Sequence, residues 1–329
     1  MKLLLTFAAF VSLGNNKNGQ TKMFAVALFA FALMVPSTGQ AQPPTAAAKA
    51  ENAGKKPPPP AEINYTVTAV FPLEGKFITA INRSLELALI GDFAGSLVDK
   101  KRNVTEFECA VFSDGASERL TTPSGINNHG DIVGFCHDDL GLLQTGFLRS
   151  KNGSLFQFTA PGFTSTVANG INDFGQIVGR SSGDSGAFSF IRSSDGTRYR
   201  NILPPTIEAL VEAVAINNSL KVLGHYSDST GQHAFLWDNG QFTELRVPGS
   251  SDVNDARQLN NNYQVLIYAT VDGVASPYLY SAGNYFLINN PKGYTWQRVN
   301  ALNDNGELAG FALDDQNFFF DIIAKPSKK

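Results

Sequence analysis

Apolar residues along this chain come in short runs broken at regular spacing by Asn, Asp and Gly, and no long segment follows the 3.6-residue period of an amphipathic helix. One pattern recurs: a run ending in Ile or Leu, then Asn, a polar turn, and a second run such as Asp131-Ile-Val-Gly-Phe135. Aligned on the Ile/Leu-Asn pair, the copies are Ile81-Asn82, Ile126-Asn127, Ile171-Asn172, Ile216-Asn217, Leu259-Asn260 and Leu302-Asn303, at intervals of 45, 45, 45, 43 and 43 residues. Strand-like repeats of this length are those of four-stranded propeller blades, so six copies predict an all-β, six-bladed β-propeller.

Each repeat predicts four strands. The first ends in Ile-Asn and the second returns beside it, because Asn and Gly supply the positive φ that a tight hairpin needs. The third carries aromatic residues, as in Cys109-Ala-Val-Phe112, Gly146-Phe-Leu148, Ala187-Phe-Ser-Phe190, Ala234-Phe-Leu-Trp237 and Tyr278-Leu-Tyr280, and turns at Ser113-Asp-Gly115, Lys151-Asn-Gly153, Ser194-Asp-Gly196 or Asp238-Asn-Gly240. The fourth runs to a proline that can close an outer edge, at Pro161, Pro248 and Pro291. At the ends, Asn317-Phe-Phe-Phe-Asp-Ile-Ile323 reads as a third strand without a fourth, and Tyr65-Thr-Val-Thr-Ala-Val-Phe-Pro72 as a fourth without a blade. Together they complete blade six and close the ring. Three copies have Leu85, Leu220 and Tyr263 where the turn Gly stands, which predicts other turn geometries there.

The motifs Ile126-Asn-Asn-x-Gly-x-Ile-Val-Gly134 and Ile171-Asn-Asp-x-Gly-x-Ile-Val-Gly179, with the literal His233-Ala-Phe235, resemble the bacterial HAF-family extracellular repeat proteins over roughly residues 64–323. The resemblance implies export and propeller-like repeats, and brings no catalytic residue to transfer.

The composition agrees with many short strands and tight turns: 30 Gly, 25 Phe and 17% charged residues. The first 41 residues differ. Lys17 and Lys22 precede the apolar run 23–35, and Pro36-Ser-Thr-Gly-Gln-Ala41 supplies small residues for cleavage after Ala41, so residues 1–41 read as a secretory signal, with a start downstream of Met1 as a variant. The rival reading is an uncleaved N-terminal anchor. Residues 42–61, with Lys55-Lys-Pro-Pro-Pro-Pro60, read as an extended linker, and 62–329 as the propeller. Losing Lys2, Lys17 and Lys22 moves the net charge from −3 to −6, an acidic balance that argues against nucleic acid as a partner. A secreted or periplasmic monomer is expected, with no transmembrane segment after cleavage. In such a compartment Cys109 and Cys136 form either a disulfide between neighbouring repeats or two buried thiols.

Chemistry is sparse. Asn303-Asp-Asn-Gly-Glu307 and Ile171-Asn-Asp-Phe-Gly175 could be calcium loops, but Arg83, Asn128, Asn218 and Asn261 replace the carboxylate elsewhere, so a turn is the shared requirement and no metal or cofactor is expected. No G-x-S-x-G, H-E-x-x-H, phosphate-binding or dinucleotide fingerprint occurs. Propeller topology puts the Asn/Gly hairpins on one face and the second-to-third-strand loops and interblade connections on the other. Loops there, at 92–106, 137–145, 180–185, 225–232, 252–257 and 296–298, are the default binding surface. The candidates are His137, Asp138, Asp139, Arg180, His225, Tyr226, Asp228, Asp255, Arg257, Trp296 and Arg298. The leading expectation is a non-catalytic binding or scaffold module for carbohydrate, cell-envelope material or a cell-surface protein. The alternatives are a polysaccharide-acting enzyme using carboxylates such as Asp138, Asp139, Asp228 and Asp255, or a purely structural surface protein.

Overall fold

The computed structural model describes residues 11–15, 21–25, 60–72, 75–110, 119–138, 144–184, 186–202, 210–229 and 231–327. Six antiparallel blades of four strands follow one another, and no helix occurs among the described residues. Blade 1 comprises Phe77–Ile81, Leu87–Ile90, Gly95–Val98 and Val104–Phe107. Blade 2 is Arg119–Ile126, Ile132–Asp138, Gln144–Arg149 and Leu155–Phe158, and blade 3 is Ser165–Ile171, Ile177–Gly183, Gly186–Arg192 and Tyr199–Asn201. Blade 4 is Leu210–Ile216, Val222–Asp228, Gly231–Asp238 and Gln241–Leu245, and blade 5 is Ser250–Leu259, Val265–Val271, Val274–Ser281 and Asn284–Ile288. In blade 6, Tyr294–Leu302, Leu308–Asp314 and Phe319–Pro326 are completed by Tyr65–Pro72 from the other end of the chain, which pairs antiparallel with Phe319–Pro326. The closure by both ends is therefore as the pattern indicated. Ala61–Ile63 was not foreseen: it lies parallel to Asn284–Ile288 and adds a fifth strand to blade 5, partly within the expected linker. A separate antiparallel pair joins Val11–Asn15 to Thr21–Ala25.

The recurring Asn is what makes the blades repeat. Each of the six is at most 4% exposed. Its Oδ1 accepts the backbone N–H groups two and four residues on, as Asn127 does from His129 and Asp131 at 3.0 and 2.9 Å, folding the hairpin around the side chain. Its Nδ2 donates to the backbone carbonyl of the next blade's Asn: 82 to 127, 127 to 172, 172 to 217, 217 to 260, 260 to 303, and 303 back to 82, at 2.9–3.4 Å. This is a closed ring of buried hydrogen bonds, and no side chain other than an amide both accepts and donates in this way.

The turns at Leu85, Leu220 and Tyr263 do not adopt other geometries. Their φ values of 62°, 60° and 59° match the left-handed region of Gly130, Gly175 and Gly306, and each donates its N–H to the Asn carbonyl as those glycines do. The Asn-centred hydrogen bonds hold the turn hard enough to force bulky residues into a region that costs them about 1 kcal/mol.

The Gly of Ile-Val-Gly has a packing role. A Cβ on Gly179 would stand 1.9 Å from the Val167 carbonyl oxygen, and one on Gly134 2.7 Å from the Phe147 ring. Phe147, Phe190 and Phe235, each fully buried, sit opposite Gly134, Gly179 and Gly224 in the register and fill the space that the glycines leave. Blade 1 keeps the volume by exchanging the pair for Leu89 and Ser96. Gly179→Ala is expected to cost about 3 kcal/mol in a urea unfolding titration, because the clash is with backbone rather than with a movable side chain.

Blade 1 departs from the sequence reading. Its third and fourth strands lie inside residues 92–106, which reads as a loop by sequence, so Cys109 and Ala110 follow the outer strand instead of opening a third one. Residues 111–118, including Phe112 and Ser113-Asp-Gly115, lie outside the described residues. Cys136 stands within the second strand of blade 2 and is bonded to Cys109, with Cα atoms 6.0 Å apart.

Candidate functional site

The two ends of the propeller axis differ in kind. At the hairpin end, the residues after each Asn form a second belt: Arg83, Asn128, Asp173, Asn218 and Asn261 each donate a backbone N–H to the side-chain oxygen of the next member, at 2.7–2.9 Å. The Asn128 amide bridges Asp173 at 3.0 Å and Asp304 at 2.8 Å. Both carboxylates thus have amide donors. Burial would raise the Asp173 carboxyl, but the donors from Asn218 and Asn128 outweigh it and hold it below the usual range. The space inside this belt is about 50 Å³, enough for water and too small for an organic ligand.

At the other end the inner strands carry a β-bulge three residues before each Asn, at Thr79, Ser124, Asn169, Val214, Arg257 and Asn300. A bulge re-aims the residues around it. Five residues before each Asn stand Phe77, Thr122, Val167, Glu212, Asp255 and Arg298, paired across the strands with Ile90, Phe135, Arg180, His225, Tyr268 and Phe311. Repeated by the blades, these pairs ring the axis at one level. One arc is apolar, Phe311, Phe77, Ile90 and Phe135, with Phe77 and Phe311 in edge contact at 5.6 Å. The other arc, over blades 3 to 6, is charged.

Within the charged arc Glu212 is the hub. Arg180 Nε lies 3.4 Å from its Oε1, His225 Nε2 3.5 Å from its Oε2, and the bulged Asn169 donates to Oε1 at 3.0 Å. Burial would raise this carboxyl, but the hydrogen bond and charge of His225, the charge of Arg180 and the Asn169 amide bring it down to about 2. It is ionised at any physiological pH. Next along the ring, Asp255 pairs with the bulged Arg257, whose guanidinium lies over the Tyr268 ring. Tyr268 reaches the next blade, its hydroxyl accepting the Val299 N–H at 2.6 Å. Arg298 follows; burial first, then the charge of Arg257, lower its pKa, with Asp255 opposing.

Of the residues singled out by sequence, Arg180, His225, Asp255, Arg257 and Arg298 meet in this arc. They sit on strands, not in loops: the second strands of blades 3 and 4 and the inner strands of blades 5 and 6. The others lie elsewhere. His137 is 7% exposed in the second strand of blade 2, 3.3 Å from the Thr122 hydroxyl. Asp138 ends that strand, and Asp139 lies outside the described residues. Tyr226 is buried and stacks on His233, which also meets Asp228 at 3.1 Å and Glu244 at 3.3 Å. Trp296 is a core residue between blades 5 and 6. Sequence reading missed Glu212, Asn169, Tyr268 and the aromatic arc, although all are at fixed offsets from the repeated Asn.

No protein-family model matches the sequence, and no curated protein matches it. Solved structures do resemble the chain. A protein assigned as TolB from Agrobacterium tumefaciens is 9% identical with a TM-score of 0.50, over 77% of this chain and 91% of that one. A nidogen/laminin complex gives 11% identity and 0.46 over 70% and 89%, and a streptogramin B lyase 13% and 0.44 over 79% and 87%. Likeness at such identities reports architecture alone, and the architecture is the β-propeller.

Proposed function

We propose that the chain is an exported repeat protein of the HAF type, with a signal over residues 1–41, a linker over 42–61 and a propeller that binds carbohydrate or other cell-envelope material without transforming it. The observation that carries this reading is the charged arc. A glycosidase needs a carboxyl held protonated near neutral pH as its acid, whereas Glu212 is driven strongly to its ionised form and Asp255 is engaged by Arg257. Side chains that are already paired and placed on rigid strands suit recognition. The Cys109–Cys136 bond supports an oxidising compartment, and no helix among the described residues is long and apolar enough to cross a membrane.

Screening the purified chain on a glycan array alongside polysaccharide hydrolysis assays tests the reading. Retention of one glycan class without product formation is expected. Turnover that disappears in Glu212→Gln would establish an enzyme instead, and absence of any retention would remove the carbohydrate.

A further inference from the structure

Resting on that binding reading, we propose that the axial mouth takes a uronate-bearing polysaccharide, the sugar carboxylate docking on Arg298 with the Tyr268 hydroxyl as an additional donor. Arg180, Arg257 and Arg298 face Glu212 and Asp255 here, with His225 beside Glu212, so the arc keeps at least one uncompensated positive charge. An anionic ligand offsets that charge. The surplus is concentrated. Arg257 is committed to Asp255, Arg180 makes a single 3.4 Å contact through Nε, and Arg298 makes no hydrogen bond to any described residue although burial has stripped much of its water. An underused, partly desolvated guanidinium offers a planar fork that matches a carboxylate.

Two further features shape the ligand. Tyr268 uses its oxygen as an acceptor for Val299 N–H, which leaves its proton free to donate. His225 Nδ1 is buried without a hydrogen-bond partner on the same arc. Phe311, the cross-strand neighbour of Arg298, meets Phe77, and Phe135 lies farther along the same arc; these rings are half-buried and suit the C–H face of a sugar ring. An acid group on one side and an apolar ring face on the other describe a hexuronate.

Isothermal titration of the full chain with oligogalacturonate, and with the same oligomer methyl-esterified, separates the possibilities. The acid form should bind and weaken with added salt, and the ester should bind at least about tenfold more weakly. Arg298→Gln should lose roughly tenfold or more of the acid-form affinity, Arg298→Lys should retain part of it, and Arg83→Gln at the hairpin end should change nothing. Should the Arg298 variant fail to fold, Tyr268→Phe, which removes the second donor, should lose roughly threefold or more of the acid-form affinity. Equal binding of acid and ester overturns the carboxylate proposal while leaving carbohydrate binding intact. Binding of neither overturns the uronate proposal and leaves the carbohydrate reading to the glycan array, and tighter binding of polyglutamate than of oligogalacturonate overturns the sugar.

Discussion

Deleting residues 317–323 should leave a chain with no cooperative thermal transition. That segment supplies most of the third strand of blade 6, including Ile322 and Ile323, both fully buried, and it is the only link between Leu308–Asp314 and the N-terminal strand Tyr65–Pro72 among the described pairings. Without it Tyr65 and Val67 lose the core formed by Leu308, Ala312, Ile322 and Ala324, and blade 6 is reduced to two strands that cannot bury a face of their own. The amides of Asn300, Asn303 and Asn305, which donate to the carbonyls of Ile78, Asn82 and Arg83, would then be asked to hold the ring shut, and hydrogen bonds of ~1 kcal/mol each do not replace a buried strand. Removing residues 61–63 makes the contrast: it takes away only the fifth strand of blade 5, and the transition should persist. A calorimetric peak of unchanged enthalpy in the 317–323 deletion would show that the blades do not depend on closure.

The second large effect comes from Asp321→Asn, which should raise the melting temperature by about 5 °C at pH 7.5 and lower it by a few degrees at pH 4. Asp321 is 2% exposed, its Oδ2 accepts the Ile78 N–H of blade 1 at 3.2 Å, and its Oδ1 has no partner. Burial pushes its carboxyl up to about 8 against the opposing pull of that N–H. Between pH 4 and 8 the folded chain therefore holds a proton that the unfolded chain has released. Stability is greatest below pH 4 and declines across this window, by on the order of 4 kcal/mol at pH 7. Asparagine keeps the acceptor for Ile78 and abolishes the titration, although its unpartnered amide returns about half of the gain. Ser189, at the equivalent position of blade 3, shows the neutral solution: its hydroxyl accepts the Ala213 N–H at 3.1 Å and donates to the Val211 carbonyl at 2.6 Å. Parallel melting curves of the two proteins from pH 4 to 8 would contradict a buried, proton-holding Asp321.

The architecture was legible because its cause is local. Asn followed by a residue in the left-handed region, and Gly facing Phe, are both short-range requirements, and they repeat at intervals that a single sequence displays. Blade 1 escaped because its volume is redistributed: Leu89 with Ser96 replaces Gly with Phe, which hides the third strand and sends attention to Cys109. The site was half legible. Arg180 and His225 stand out as charges after an Ile-Val-Gly type run, but Glu212 and Arg298 precede a bulge that shifts strand alternation by one residue, so their direction cannot be read from period two. Trp296 and Tyr226 misled for a related reason: a large aromatic beside polar residues is as easily an interblade filler as a binding platform, and only packing tells the two apart.

The central claim is that the Asn hairpins are scaffold and that ligand meets the opposite end of the inner strands. Hydrogen exchange followed with and without saturating oligogalacturonate tests it most directly. Protection should rise in peptides covering Glu212, Asp255 to Arg257 and Arg298, and stay constant in the hairpins following Asn127, Asn172 and Asn217. Protection gained at those hairpins, with the inner-strand starts unchanged, would put the binding face at the wrong end of the axis and contradict the account.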